Sequence, residues 1–504
     1  MEFVVTDGAQ PGEDVVRSGG GGFMRLIVTM AVAGLLAGCG GSDATGAPEI
    51  DAAEREIGAQ QHPQLLAEFG GSYEGPEAAY VKRIGESVAA AAGLGGQCTF
   101  TLVNSDVVNA FAVPGCYIYA TRGLVGLVNS EAELASVLAH EVGHIVGEHS
   151  ARQQSRSIWR QIGVAAVGLL TGSERLTRIA GKAAEYFTLR YSRAQEYQSD
   201  DLGIAYMAKA GYDPHEAADM LGALGRQEAY MNRTRGRDEA RSIPEWARTH
   251  PLTENRIERA REAARSTGFA DNRLPEKQAA YLNEVDGMLY GDDPAQGFVQ
   301  GRRFAHPVMR IGFEAPQGFT LTNSPQAILL EGPEGLRGEF GGGPLPPGGV
   351  EEYAAALVQQ VAQGVPAEVG PGELLIINGL PAAIVPVRVS GPDGEVQLTI
   401  AAYDGRDGGA YHFIMVAPPT EGAAVQIAQL LRSFHLLTPA EAASLRPRRI
   451  QVVTAGPGDT EASLARLMAS DHPLEHFRVL NGRAAGQAVR PGEQVKVVAF
   501  AGGR

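Results

Sequence analysis

The chain is short of cysteine, of basic charge and of long apolar runs, and each shortage narrows what it does. It holds three cysteines in 504 residues, Cys39, Cys98 and Cys116. No His or Asn pattern of a thiol protease accompanies them, so none is read as a nucleophile. Lys and Arg number 43 against 58 Asp and Glu, a formal net charge of −15. With no basic run and no interleaving of basic and aromatic residues, nucleic acid is excluded as a partner. The strongly apolar stretch near the N-terminus, residues 26–36, is too short to cross a bilayer as a mature helix, and so is the run at 162–170. What is plentiful is ordinary core material. At 44% hydrophobic residues over this length, the chain reads as a multi-domain globular protein.

The most informative pattern is His140-Glu141-Val142-Gly143-His144. The preceding run, Ala132-Glu133-Leu134-Ala135-Ser136-Val137-Leu138-Ala139, has good helix formers, an apolar stripe and no Gly or Pro. Residues four apart share a helix face, so both imidazoles can reach one ion. Glu141 sits on an adjacent part of that face, placed to act on a water activated by the metal without binding the metal itself. The plain alternative is a buried helix with two satisfied histidines.

Catalytic zinc takes three protein ligands and keeps one position open. A second helical segment, Ser192-Arg193-Ala194-Gln195-Glu196-Tyr197-Gln198-Ser199-Asp200-Asp201-Leu202-Gly203, places Glu196 and Asp200 on one face. Glu196 can complete the site, and Asp200 can hold a ligand imidazole by its other nitrogen. Alone, such a pair is usually a solvated helix face. After the histidine motif it points to a gluzincin-type zinc peptidase with one Zn²⁺ per chain.

At this point the chain resembles the HtpX and CAAX-prenyl-protease superfamily of zinc metallopeptidases, in its soluble periplasmic, BepA/LoiP-like branch. The resemblance covers residues 79–260. It is carried by Asn109-Ala110-Phe111-Ala112-Val113-Pro114-Gly115, by Ile118-Tyr119-Ala120-Thr121-Arg122-Gly123-Leu124, by the two helical motifs, and by Thr249-His250-Pro251-Leu252-Thr253-Glu254-Asn255-Arg256. It implies that Glu196 is the third ligand and that Asp200 supports a ligand. It also implies that His250 and Arg256 face the metal, His250 either stabilising the transition state or plugging the fourth position. From the residues alone, a His before Pro reads as a surface turn. The resemblance further implies that residues 107–113, including Asn109, Ala110 and Phe111, form an edge strand on which substrate lies extended. The alternative there is a core strand.

The apolar N-terminal stretch follows Met24-Arg25 and ends in Leu36-Ala37-Gly38-Cys39, the small-residue close of a signal peptide. It resembles a bacterial lipobox, with Cys39 lipidated and with Met24 as the natural start. Gly40-Gly41-Ser42-Asp43 then suits a flexible tether. The expected location is the periplasm, with the chain lipid-anchored to the inner leaflet of the outer membrane. Cys98 and Cys116 head short strand-like runs in the same lobe, so in an oxidising compartment they are expected to pair rather than remain two buried thiols.

The expected fold class is multi-domain α+β. Residues 1–39 are signal peptide and lipobox, 40–50 tether, and 51–295 a mostly helical gluzincin zinc-peptidase lobe with a small sheet. Residues 304–440 alternate strand-like and turn-like segments, an antiparallel α+β domain, whose opening faintly resembles the photosystem-associated, Mog-type α/β sandwich. There the Gly- and Pro-rich 341–349 reads as loop, and His306, His412 and His435 as ordinary packing or surface residues. Residues 449–498 resemble a degenerate LysM domain, βααβ, with Glu461 where that family has Leu. Peptidoglycan is a candidate partner through it; a spacer that binds no sugar is the alternative.

Two function classes follow. One is an endopeptidase of unfolded or misassembled periplasmic and outer-membrane proteins. The other is a chaperone-like or binding lipoprotein whose zinc site is latent, plugged by His250. A peptidoglycan hydrolase lacks its separate His-x-His zinc motif in this sequence.

Overall fold

Helix propensity, an N-cap and an apolar stripe coincide around the histidine motif, and the motif lies in a buried helix as a result. The computed structural model describes residues 48–149, 191–234, 246, 249–252 and 254–502, apart from 325, 363–366, 392–393, 406–407 and 419. Cys39, the tether up to residue 47 and the run at 162–170 lie outside the described residues. Among the described residues, no helix is long and apolar enough to cross a membrane.

The first lobe contains α1 (Ala52–Glu68), α2 (Pro76–Ala91), strands β1 (Thr99–Val103), β2 (Ala110–Val113) and β3 (Tyr117–Thr121), and α3 (Arg122–Leu127). It continues with α4 (Glu131–Val146), α5 (Arg193–Lys209), α6 (Glu216–Thr234), α7 (Glu254–Ser266) and α8 (Gln278–Val285). Ser130 caps α4 by accepting the amide of Glu133 at 2.9 Å, and Glu131 and Glu133 in its first turn complement the helix dipole. Every residue of α4 from Glu131 to His144 is buried. A reciprocal capping box between Ser192 and Gln195 starts α5. The small sheet runs β1-β3-β2, with β1 parallel and β2 antiparallel to β3.

Cys98 and Cys116 are joined in a disulfide that ties the start of β1 to the turn before β3. The strand expected over residues 107–113 is shorter, Ala110–Val113. Its first residues are drawn off because the carbonyl of Val107 accepts the hydroxyl of Thr121 at 2.5 Å, and Val107 turns out to solvent.

Two further antiparallel sheets span residues 298–436. One has four short strands; the centre of the other is formed by Arg337–Pro344, Gly409–Ala417, Gly394–Asp404 and Leu380–Gly391. Helix Gly349–Val361 packs with Ala383, Ile400, Ala402 and Ile414. Helix Glu421–Ser433 packs with the alternate set Ala382, Ala401, Tyr403 and Phe413, so the two helices cover opposite faces. Part of the expected loop at 341–349 is strand: Gly341, Gly342 and Gly343 pair with His412, Tyr411 and Ala410. A Cβ on Gly341 or Gly342 would stand about 3 Å from the His412 or Tyr411 ring, so the glycines let rings lie over the strand.

The last elements are β4 (Leu289–Tyr290), β5 (Arg448–Thr454), α9 (Glu461–Ala465), α10 (Pro473–Leu480) and β6 (Gln494–Phe500). The sheet order is β6-β5-β4, so a strand after α8 is completed by the C-terminal residues. Glu461 is buried against Arg478 at 2.9 Å and Arg483 at 3.4 Å. Two guanidinium groups thus satisfy a carboxylate in a small apolar core.

Candidate metal centre

Four side chains converge from three parts of the lobe. His140 and His144 come from α4, Glu196 from α5, and His250 from the segment before α7. One ligand atom of each lies within 4.8 Å of the others, and all four residues are buried. The close approach of α4 and α5 is set by two glycines. A Cβ on Gly143 would stand 2.8 Å from the carbonyl of Ser199, and one on Gly203 2.9 Å from the amide of His140.

The Nε2 atoms of His140 and His144 are 3.0 Å apart. Glu196 Oε2 lies 3.6 Å from the first, and Glu196 Oε1 lies 3.5 Å from the second. His250 Nδ1 is 3.0 Å from Glu196 Oε1 and 3.3 Å from His140 Nε2, and its Nε2 is 3.5 Å from Glu141 Oε1. The other nitrogens of the two helical histidines are taken. His140 Nδ1 faces Asp200 Oδ1 at 2.9 Å, and His144 Nδ1 faces His149 Nδ1 at 2.9 Å. Both Nε2 atoms are thereby directed at the cluster.

Arg256 donates twice to Asp200, at 2.7 and 2.8 Å. Its Nη1 also stands 2.5 Å from Glu196 Oε2, out of hydrogen-bond alignment. Burial works to raise the pKa of Asp200, but Arg256 and His140 outweigh it and hold it at about 2. Glu196 likewise stays well below the carboxylate range, because His250 and Arg256 overcome its burial. Burial pushes Glu141 up and His144 down. For His250 burial acts downward, and the carboxylates of Glu196 and Glu141 more than offset it.

These residues fit a divalent cation. His250 Nε2 and Glu141 Oε2 are buried without a hydrogen-bond partner, and such atoms ask for one. Two imidazoles and a carboxylate are a catalytic zinc donor set. Beside His140 and Glu141 lies a hollow of about 30 Å³, walled by Val137, Met220, Leu221, Leu224 and Trp246, with room for an ordered water.

The sequence model of peptidase family M48 matches residues 76–264. This segment, the M48 domain, is what the chain shares with that family. The chain is 32% identical to the β-barrel assembly-enhancing protease of Yersinia pestis over 174 residues, 33% of this chain and 34% of that protein. It is 33% identical to the putative β-barrel assembly-enhancing protease of Vibrio cholerae, over 37% and 39% of the two chains. The mitochondrial metalloendopeptidase OMA1 of Arabidopsis thaliana is 33% identical over 25% of each. The chain thus spans between a quarter and two fifths of the length of these relatives. Among solved structures, cyanobacterial PsbP from Synechocystis is similar at 14% identity, covering 29% of this chain and 98% of that one, with a TM-score of 0.23.

The M48 domain brings together His140, Glu141, His144, Glu196, Asp200, His250 and Arg256. Asn109, Ala110 and Phe111 lie at the start of β2, beside α4. β2 is an edge strand, packed against α4 on one side, while Phe111 turns to Phe69 and Tyr119 on the other. Both polar side-chain atoms of Asn109 are buried without a partner.

Three features of the M48 domain have no counterpart in the reading of the sequence. His149 backs His144, itself held by Gln198 at 3.1 Å and Ser199 at 3.2 Å. Its position just beyond the helical motif was the available signal. Tyr191 stacks on His144 at 3.8 Å between centroids, and nothing in the sequence marked it. The third is the glycine pair, Gly143 and Gly203, which only the approach of α5 reveals.

Proposed function

We propose that the chain is a zinc-dependent endopeptidase of the bacterial cell envelope, cleaving misfolded or unassembled periplasmic and outer-membrane proteins. The observation that carries this reading is the convergence of His140, His144 and Glu196 with the buried carboxylate of Glu141 beside them. A bound zinc supplies Lewis-acid activation of water and of the scissile carbonyl. Glu141 takes the proton of the attacking water and passes it to the leaving amine; burial raises its pKa toward the range that suits this shuttle. Asp200, fixed by Arg256, holds His140 in orientation. His250 and Arg256 supply donors and positive charge for the developing oxyanion. An extended substrate pairs by main chain with β2, an edge strand among the described residues, which gives the low sequence selectivity that unfolded clients require.

The envelope location rests on relatives named β-barrel assembly-enhancing proteases and on the lipobox-like sequence ending at Cys39. Residues 449–498, which follow the order strand, helix, helix, strand, are assigned as a LysM-like module with peptidoglycan as its candidate ligand.

The test is cleavage of an intrinsically unstructured protein by the wild type and by Glu141→Gln. Zinc-dependent cleavage by the wild type and none by the variant is expected. Equal cleavage by both would remove Glu141 from the reaction.

A second reading has one observation in its favour. His250 stands among the other ligands, 3.0 Å from Glu196 and 3.3 Å from His140. A neutral imidazole there can close the fourth zinc position, leaving a latent site in a chaperone-like or binding lipoprotein. Absence of zinc-dependent cleavage in the wild type, restored by His250→Ala, would favour it.

A further inference from the structure

Lys496 lies on β6, in the C-terminal elements, and its side chain is fully buried. A lysine is almost never fully buried unless its ammonium is paired. Here Nζ donates to three backbone carbonyls of the M48 domain: Gly126 at 2.8 Å, Leu127 at 3.0 Å and Val128 at 2.5 Å. Those are the last turn of α3 and the residue after it, whose carbonyls have no helical partner and carry the negative end of the helix dipole. Three donors on one cation satisfy them together.

The carbonyls Lys496 holds belong to the link that delivers α4. The next residue, Asn129, donates its amide to Glu133 Oε2 at 2.6 Å, and Ser130 caps the helix through the amide of Glu133. Burial lowers the pKa of the Lys496 ammonium to about 7, even with the Glu133 carboxylate acting to raise it. Glu133 is two helical turns before His140, on the same rigid helix. On the other side, Asn481 clamps the backbone of Lys496, accepting its amide at 2.7 Å and donating to its carbonyl at 2.9 Å.

The contact is one part of a continuous seam. Ile450 and Val479 pack into the hydrophobic core of the peptidase lobe. Backbone bonds join Ile450 to Gly287 and Met288. Tyr290 reaches His476 at 2.7 Å, and Tyr230 of α6 stacks on the same ring. A module that merely tethered the peptidase to a ligand would not need a buried cation in the peptidase's core.

We propose that Lys496 is a positioning residue for the metal-binding helix, so that the C-terminal module is a working part of the peptidase and fixes the register at which α4 presents His140, Glu141 and His144. The proposal rests on the zinc reading given above.

The test compares the full chain with Lys496→Met, Glu133→Gln and the double variant, using competition with a chelator to measure zinc affinity at a temperature where circular dichroism shows each to be folded. Arg233→Ala, which breaks the exposed seam contact with Glu475, is the control. A positioning role predicts that Lys496→Met weakens zinc about tenfold or more, the scale seen when a ligand's support is lost. It also predicts that this loss shrinks in the Glu133→Gln background and that Arg233→Ala binds zinc like the wild type. A purely structural role lowers the melting temperature of Lys496→Met but leaves zinc affinity of the folded variant unchanged, and that result overturns the proposal. If Lys496→Met does not fold, Glu133→Gln decides alone: it must also weaken zinc, and unchanged affinity overturns the proposal. A wild type that binds no zinc instead contradicts the reading on which this rests.

Discussion

His149 Nδ1 stands 2.9 Å from His144 Nδ1, so one imidazole backs another across the end of α4. Of two such nitrogens one must carry the proton, and the arrangement leaves His144 Nε2 facing the cluster. His149→Ala should therefore keep the fold but weaken zinc by about 10- to 100-fold, read by chelator competition. Zinc affinity equal to that of the wild type would show that Tyr191, stacked on the same ring, suffices to hold it.

Gly203→Ala puts a methyl 2.9 Å from the amide of His140 and 3.0 Å from the carbonyl carbon of Ala139. Backbone cannot yield as a flexible side chain does, so α4 and α5 must part. The expected cost is about 1–3 kcal/mol, seen as a lower melting temperature together with weaker zinc, because Glu196 moves with α5. An unchanged melting curve would contradict the packing described.

His250→Ala separates the two roles open to that ring. A plug predicts at least about tenfold higher basal proteolysis, and an oxyanion donor predicts a loss of about 10²-fold or more in kcat. Unaltered steady-state kinetics would reduce His250 to a turn residue, despite its 3.0 Å approach to Glu196.

His476 gives a prediction in pH. Burial lowers its pKa from 6.5 to about 4, so the folded state keeps it neutral while the unfolded chain takes up a proton. The stability it contributes is fully present above pH 6.5, is lost as pH falls from there toward 4, and levels off below. The full difference is about 3 kcal/mol. Denaturant unfolding followed between pH 7 and 4 should show a flatter profile for His476→Phe than for the wild type, and parallel profiles would rule the assignment out.

The parts of the site legible in the sequence were those fixed by spacing along one helix. His140, Glu141 and His144 follow from one face of α4, and Glu196 with Asp200 from one face of α5. His149 was not legible, because its role depends on Gln198 and Ser199 arriving from α5. Lys496 was not legible either, since a lysine in an alternating strand reads as solvent-facing until the carbonyls of α3 are seen around it. In the second half, strand and helix order was readable from alternation and turn residues. The glycines at 341–343 misled, because composition reads as loop where ring packing demands strand.

The most direct test is elemental analysis of zinc in the purified wild type and in Glu196→Ala. The account predicts one zinc per wild-type chain and a large loss in the variant, because Glu196 is the carboxylate that α5 brings beside the two histidines of α4. Stoichiometric zinc retained in Glu196→Ala would contradict it.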